Sequence, residues 1–252
     1  MEFLQALDEV TQRTQVIALG QSEEATSGGF RRLYIVVPEV RKLVKQKYSF
    51  YELSANEIIK IWDYIWKQSD WYEVAHQAIY YYQHRTISKV ECAKITTWIN
   101  RCDCWAYSDD LSKIYAQVVE DNPDWIIPLY NKWSTSSSPW KRRQSVVGLI
   151  EYASKRKSVL PFDELIGFVE ALLADKDYYV QKGVGWTLRE IYNVYPAQAL
   201  EFIEHHIGEL SALAFSSSTE KLDKKTKARL KTKRKALRKE GIFSGQDLIN
   251  QD

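Results

Sequence analysis

Asp103-Cys104-Trp105, running on into Ala106-Tyr107-Ser108-Asp109-Asp110, decides the fold because it has three counterparts: Asp70-Trp71-Tyr72, Ser138-Pro139-Trp140 and Asp177-Tyr178-Tyr179. Each opens a helix-like run. The lead aromatics Trp71, Trp105, Trp140 and Tyr179 stand 34, 35 and 39 residues apart. Self-similarity at that period marks an array of helical repeats. Each unit reads as a lead aromatic, a helix of about fifteen residues, a polar or Pro-containing break and a second helix. The breaks fall at Asn122-Pro123, Ser134 to Pro139, Pro161 and Tyr195-Pro196. A single helix pair cannot bury its own apolar face, so stacked pairs share one core. The expectation is an all-α, HEAT-like helical-repeat solenoid, one domain over residues 1–220, followed by a basic C-terminal helix or arm over 221–252.

Composition agrees. The chain has 252 residues, 45% hydrophobic, with 10 Gly and 6 Pro. That scarcity of turn residues disfavours an all-β sandwich. Nine Trp and sixteen Tyr exceed ordinary core needs, and such rings also serve surfaces that stack or hydrogen-bond. The net charge of +2 hides an asymmetry: residues 221–240 hold eleven Lys/Arg against Asp223 and Glu240, and with Asp247 and Asp252 beyond them this leaves 1–220 at −5. A concentrated basic end on a near-neutral body suggests a polyanion touched locally.

Three cysteines, Cys92, Cys102 and Cys104, do not form a disulfide framework, and their spacing is wrong for zinc. All four His (76, 84, 205 and 206) lie away from the motifs. No cofactor or metal is expected. No apolar stretch approaches the roughly 20 residues that span a bilayer, and the start lacks a basic leader. The expected setting is a bacterial-type cytosol, nucleoid-associated when DNA is bound, with no membrane partner. Without sustained heptads, a monomer is expected.

Toward the N-terminus, residues 2–18 form an amphipathic helix with Phe3, Leu4, Leu7, Val10 and Ile17 on one face. Ser27-Gly28-Gly29 sits in a loop. Tyr34-Ile35-Val36-Val37 is either a short strand or, with Pro38 opening it, the lead-in to a helix. Ser54-Ala55-Asn56-Glu57 caps a helix whose stripe is Ile58, Ile61, Trp62, Ile65 and Trp66. Leu222 to Lys239 is a basic helix, or an arm that folds on binding, closed by Gly241.

Several residues stand out chemically. Asp109 follows Trp105 by four positions, so a helix places both on one face; the competing view gives Asp109 or Asp110 to the helix dipole. Pro139-Trp140-Lys141-Arg142-Arg143 presents cations at a helix start, either as a phosphate site or as a solvated face. Gln181 to Glu190 contains Gly183 and Gly185, which cost about 1 kcal/mol each in a helix and therefore admit a close neighbour. Trp186 beside them is a cleft ring or a core ring. In the tail, Lys231, Lys233 and Arg234 suit phosphate contact.

At these residues the chain resembles the DNA alkylation repair (AlkD-like) family of HEAT-repeat alkylpurine DNA glycosylases, over roughly residues 30–215. The resemblance implies a concave DNA-binding face, Asp109 as the catalytic carboxylate, Trp105 and Trp186 as cleft aromatics, and Arg143 as the active-site arginine. It gives Arg189 a backbone contact and matches the family's Pro-x-x-Arg segment to Pro38 and Arg41; Arg142 and Lys182 are further DNA-binding candidates. Two positions depart: a common glycine is Tyr34, and a common basic residue is Glu151. The implied reaction hydrolyses the N-glycosidic bond of cationic N3- or N7-alkylated purines in double-stranded DNA. Such a base already leaves as a neutral molecule and needs no general acid. The rival readings are a catalytically silent HEAT-repeat protein that recognises DNA structure, a protein-interaction scaffold, and an enzyme for another lesion.

Overall fold

The computed structural model describes residues 2–18, 24–25, 30–242 and 244–245. The Ser27-Gly28-Gly29 loop lies outside the described residues. Among them the chain forms thirteen α-helices and a two-residue antiparallel ladder that pairs Glu24–Ala25 with Arg31–Arg32. It divides into two compact units, Met1–Ile114 and Tyr115–Asp252, where the sequence reads as a single repeat domain. In a repeat array each element touches only its neighbours, so compactness is a local property.

The first unit comprises α1 (Phe3–Ala18), α2 (Val37–Lys45), α3 (Ala55–Gln68), α4 (Tyr72–Tyr82), α5 (Lys89–Ile95) and the start of α6 (Trp105–Asp121). Backbone from Leu33 to Val36 is not a strand; α2 starts at Val37 with Pro38 in its first turn. Ser54 and Glu57 cap α3 reciprocally, and the expected stripe from Ile58 to Trp66 is buried. The face expected for α1 is different in the structure. Its buried residues are Ala6, Val10, Thr14 and Ala18, while Phe3, Leu4 and Ile17 are exposed. Small side chains allow α1 to lie close, and Thr14 is there because its hydroxyl accepts from Gln77 Nε2 at 2.8 Å.

Helix α4 is central to this unit, with every residue from Glu73 to Tyr82 buried. Three of its buried polar side chains are paired, as desolvation demands. Glu73 accepts from the Leu33 N–H at 2.9 Å, Gln77 accepts from the Tyr48 hydroxyl at 2.5 Å, and His76 meets Asp110. Around it pack Tyr48, Phe50, Trp62, Trp66 and Trp98, with Trp66 stacked on Trp98 at 5.6 Å.

The second unit contains α7 (Ile127–Trp133), α8 (Pro139–Val147), α9 (Phe162–Glu170), α10 (Tyr178–Val194), α11 (Pro196–His205), α12 (Ala212–Ser218) and α13 (Lys224–Lys239). Every lead aromatic lies at the start of a helix: Trp71 just before α4, Trp105 first in α6, Trp140 and Tyr179 second in α8 and α10. Helix α10 is central here and packs against α8, α9, α11 and α12. Its glycines admit close neighbours. A Cβ at Gly183 would lie 3.2 Å from Val147 Cγ1 and 3.3 Å from Arg143 Cγ; one at Gly185 would lie 2.6 Å from the Ala214 carbonyl oxygen.

The basic tail is a docked helix. Leu222 and Leu230 are buried, Arg234 donates to the Ile207 carbonyl at 3.0 Å, and Arg229 pairs with Glu204. It ends at Gly241, whose φ of +69° is the left-handed stop that glycine permits.

Two substitutions separate space from helix propensity. Gly185→Ala forces a methyl into α12 backbone and should cost about 1–3 kcal/mol despite better propensity. Gly167→Ala, in the interior of α9 where nothing lies within 4 Å, should gain about 0.5–1 kcal/mol. Urea midpoints moving in opposite directions would bear this out; equal shifts would refute it.

Candidate active site

The first candidate site is built on the N-terminal turns of α6. Trp105 begins the helix and is 56% exposed. Asp109 lies one turn later on the same face and is half-buried. Because α6 begins at Trp105, its first turn holds no acidic residue. The dipole explanation for Asp109 therefore loses most of its force, since that effect decays within the first turn. Cys104, just before Trp105, is no nucleophile: burial pushes its thiol up to about 11.

Asp110 has a different fate from its neighbour. It is buried, with His76 Nε2 2.7 Å from Oδ2 and Lys113 Nζ 2.5 Å from Oδ1. Gln83 Nε2 donates to both its carbonyl and Oδ1, at 3.1 and 3.2 Å. Burial alone would push this carboxyl up, but hydrogen bonds and charge from His76 and Lys113 hold it well below the usual carboxylate range. Asp110 is thus an internal anion that fixes how α6 sits on α4.

An aromatic wall flanks this anion. His76 stacks on Tyr80 at 4.4 Å and meets Tyr72 edge-on at 5.0 Å. Arg32 lies 4.0 Å above the Tyr72 ring and Arg41 4.8 Å above Tyr80. Burial raises both tyrosine hydroxyls, so they stay neutral. Arg41, a sequence candidate, is half-exposed and 4.0 Å from Asp110 Oδ1. His76 belongs to none of the sequence motifs; its one signal there is that it precedes Asp110 by 34 residues, one repeat length. Tyr34, at the position where the family commonly has glycine, holds φ +52° and an exposed ring.

In the second unit the two arginines of α8 are committed to other parts of the protein. Arg143 is 6% exposed and its Nη1 donates to the Tyr179 carbonyl at 2.7 Å, tying α8 to the first turn of α10. Arg142 holds Asp175 through Nε at 2.5 Å and the Ser136 carbonyl through Nη1 at 2.8 Å. Neither is the solvent-facing phosphate cation that Pro-Trp-Lys-Arg-Arg suggests. Lys182 is exposed beside Tyr178. Trp186 is half-buried, with Arg189 5.9 Å from its ring, and Arg189 itself pairs with Glu220 at 2.5 Å. Glu151, where the family commonly has a base, is buried. In the tail Lys231 faces solvent, Lys233 donates to the Glu204 carbonyl at 2.8 Å, and Arg234 is buried over Phe215, which removes it as a phosphate contact. Among the described residues, no His, Cys, Asp or Glu group is arranged to hold a metal ion, and no helix is long and apolar enough to cross a membrane.

The buried Asp110 anion sets a pH dependence. Its folded pKa is depressed, so its contribution is present above the unfolded value of about 3.9 and is lost as pH falls below it. Asp110→Asn should cost about 1.5–3 kcal/mol near neutral pH. The gap to wild type in urea midpoint should narrow below about pH 4. A gap independent of pH would show that the carboxylate is not the stabilising species.

Solved structures share this architecture. No curated protein matches the chain. AlkD2 from Streptococcus mutans is 17% identical and superposes with a TM-score of 0.55, over 90% of this chain and 97% of that one. A predicted DNA alkylation repair enzyme from Enterococcus faecalis is 17% identical with a TM-score of 0.64, over 86% of this chain and 96% of that one. At that identity the likeness shows the fold, a helical-repeat architecture. The family described as DNA alkylation repair enzyme matches residues 2–222, and this chain belongs to it.

Proposed function

We propose that the protein is a DNA glycosylase for cationic N3- or N7-alkylated purines. The observation that carries the reading is the division of labour on α6. Asp110 is buried against His76, Gln83 and Lys113, and Asp109, half-buried, shares a face with the exposed Trp105. A rigid helix start thus offers an indole and a carboxylate side by side.

The chemistry asks for little more. The bond between C1′ of the deoxyribose and the purine nitrogen breaks; the electron pair stays with the base, which leaves neutral. Water adds its oxygen to C1′ and gives up a proton. Asp109 stabilises the positive charge that develops on the sugar and accepts that proton. Trp105 packs against the sugar, with attraction growing as the charge does. In the second unit, Trp186 offers a half-exposed ring of its own to the DNA. Arg41, held over Tyr80, and the exposed Lys182 and Lys231 supply phosphate contacts. Arg143 acts by positioning the first turn of α10.

The burial of Arg143 and the pairing of Arg142 with Asp175 favour a second reading, a silent relative that binds DNA without cleaving it. One experiment separates the two: release of 7-methylguanine from a methylated duplex, wild type beside Asp109→Asn. The glycosylase reading expects release by wild type and a loss of about a hundredfold or more in the variant, with DNA affinity retained. Affinity without release by either protein would select the silent reading. In both cases affinity should fall steeply with salt; a salt-insensitive or absent affinity would leave only a scaffold.

A further inference from the structure

Tyr152 is held against its own backbone preference. It precedes a short 3-10 turn, Ala153–Lys155, with φ +47° and ψ 75°, in the left-handed region that aromatic residues avoid. Its ring is 42% exposed, so burial does not repay the strain. Backbone strain that survives is usually over-determined by its surroundings, and it gathers where residues bind ligands.

The over-determination is visible. The Ala153 N–H donates to Glu190 Oε2 at 3.0 Å, and the Lys155 N–H donates to the Tyr152 carbonyl at 2.8 Å. Glu190 is buried and also accepts from Asn193 Nδ2 at 3.3 Å. Glu190 closes the Gln181–Glu190 stretch, so the part of that motif left unused by the proposed chemistry serves to clamp the turn that carries Tyr152. The clamp aims the ring edge-to-face at Trp186, with centroids 6.0 Å apart and planes at 84°. Lys155 Nζ lies 4.5 Å from the Tyr152 ring and Arg189 Cζ 5.9 Å from the Trp186 ring.

We propose that Tyr152 is a DNA-contacting residue that forms, with Trp186, an aromatic corner for a nucleobase exposed where the duplex is disrupted, with Lys155 on the adjacent phosphate. Two rings at right angles offer one face for stacking and one edge for support. The cation beside each ring gives the electrostatic attraction that a nucleotide needs. An intact duplex hides its base faces, whereas a lesion or abasic position uncovers them. The corner therefore discriminates damaged from undamaged DNA. The inference rests on the reading above in taking DNA as the ligand, but it does not require base release.

The test compares full-length wild type, Tyr152→Gly and Tyr152→Phe. The probes are a duplex with one tetrahydrofuran abasic analogue and the same duplex without it. Glycine accepts the left-handed backbone, so Tyr152→Gly should melt no lower than wild type. It should bind the abasic duplex about tenfold more weakly, with little change on the undamaged one. Tyr152→Phe keeps the ring and should bind like wild type. If Tyr152→Gly melts lower, Tyr152→Asn, which also tolerates that backbone, takes its place with the same expected loss. Unchanged abasic-duplex affinity in the folded Gly or Asn variant, or equal losses on both duplexes, would overturn the proposal. The 7-methylguanine assay keeps the two ideas apart. No release by wild type with Tyr152-dependent binding would sink the glycosylase and leave the corner, whereas release with Tyr152-independent binding would do the reverse.

Discussion

A desolvated carboxylate fixes the front of the first unit. Asp110 has left water, and an isolated buried anion would cost several kcal/mol. It persists because His76 from α4, Gln83 just past α4 and Lys113 from its own helix all direct protons at it. Those contacts set both the rotation and the height of α6 against α4. One residue along a helix is a turn of about 100°, so seating Asp110 inward places Asp109 to the side, on the face that carries Trp105. The proposed catalytic carboxylate thus inherits its direction from a neighbour that does no chemistry.

Helix α10 supports the second unit in another way. Gly183 and Gly185 let α8 and α12 approach until their side chains and backbone touch it. Its polar residues then bond to the backbone of what has come close: Gln181 Nε2 donates to the Leu172 carbonyl at 2.8 Å, and Glu190 receives the Ala153 N–H. Close packing comes first here and hydrogen bonding secures it. Around α4 the order is reversed, with buried side-chain pairs setting the spacing and large rings filling the gaps.

What the sequence made legible was local. Helix starts at the four lead aromatics, the stops at Asn122-Pro123 and Tyr195-Pro196, and the Ser54–Glu57 cap depend on residues within a few positions of each other. The same holds for the two glycines of α10. What stayed hidden was pairing across the chain. Nothing near Asp110 says that a histidine 34 residues earlier will meet it. For α1 the apolar residues suggested one face, and the structure buried another, because Ala6, Val10 and Thr14 fit a tight contact that Phe3 and Leu4 do not. Tyr152 gave no signal at all, since the residue type argues against the backbone it adopts.

The arginines show the same limit with consequences for function. Pro-Trp-Lys-Arg-Arg and the basic tail both read as cationic surface, but a guanidinium has five donors in a fixed fork and is readily recruited to carbonyls and carboxylates inside the protein. Arg142, Arg143 and Arg234 have been recruited in this way. Lysines such as Lys182 and Lys231 remain in solvent, as compact charges on flexible stems. Charge of that kind attracts a phosphate backbone without fixing its register. Register must then come from stiffer groups, and those beside the candidate residues are aromatic: the exposed Trp105 at the head of α6 in the first unit and, in the second, the half-buried Trp186 with the exposed Tyr152. A cationic base and a sugar gaining positive charge are both ligands that aromatic faces and a single carboxylate hold well. The division between exposed lysines for affinity and packed rings for position therefore suits the proposed substrate, one recognised by its charge and its disrupted stacking.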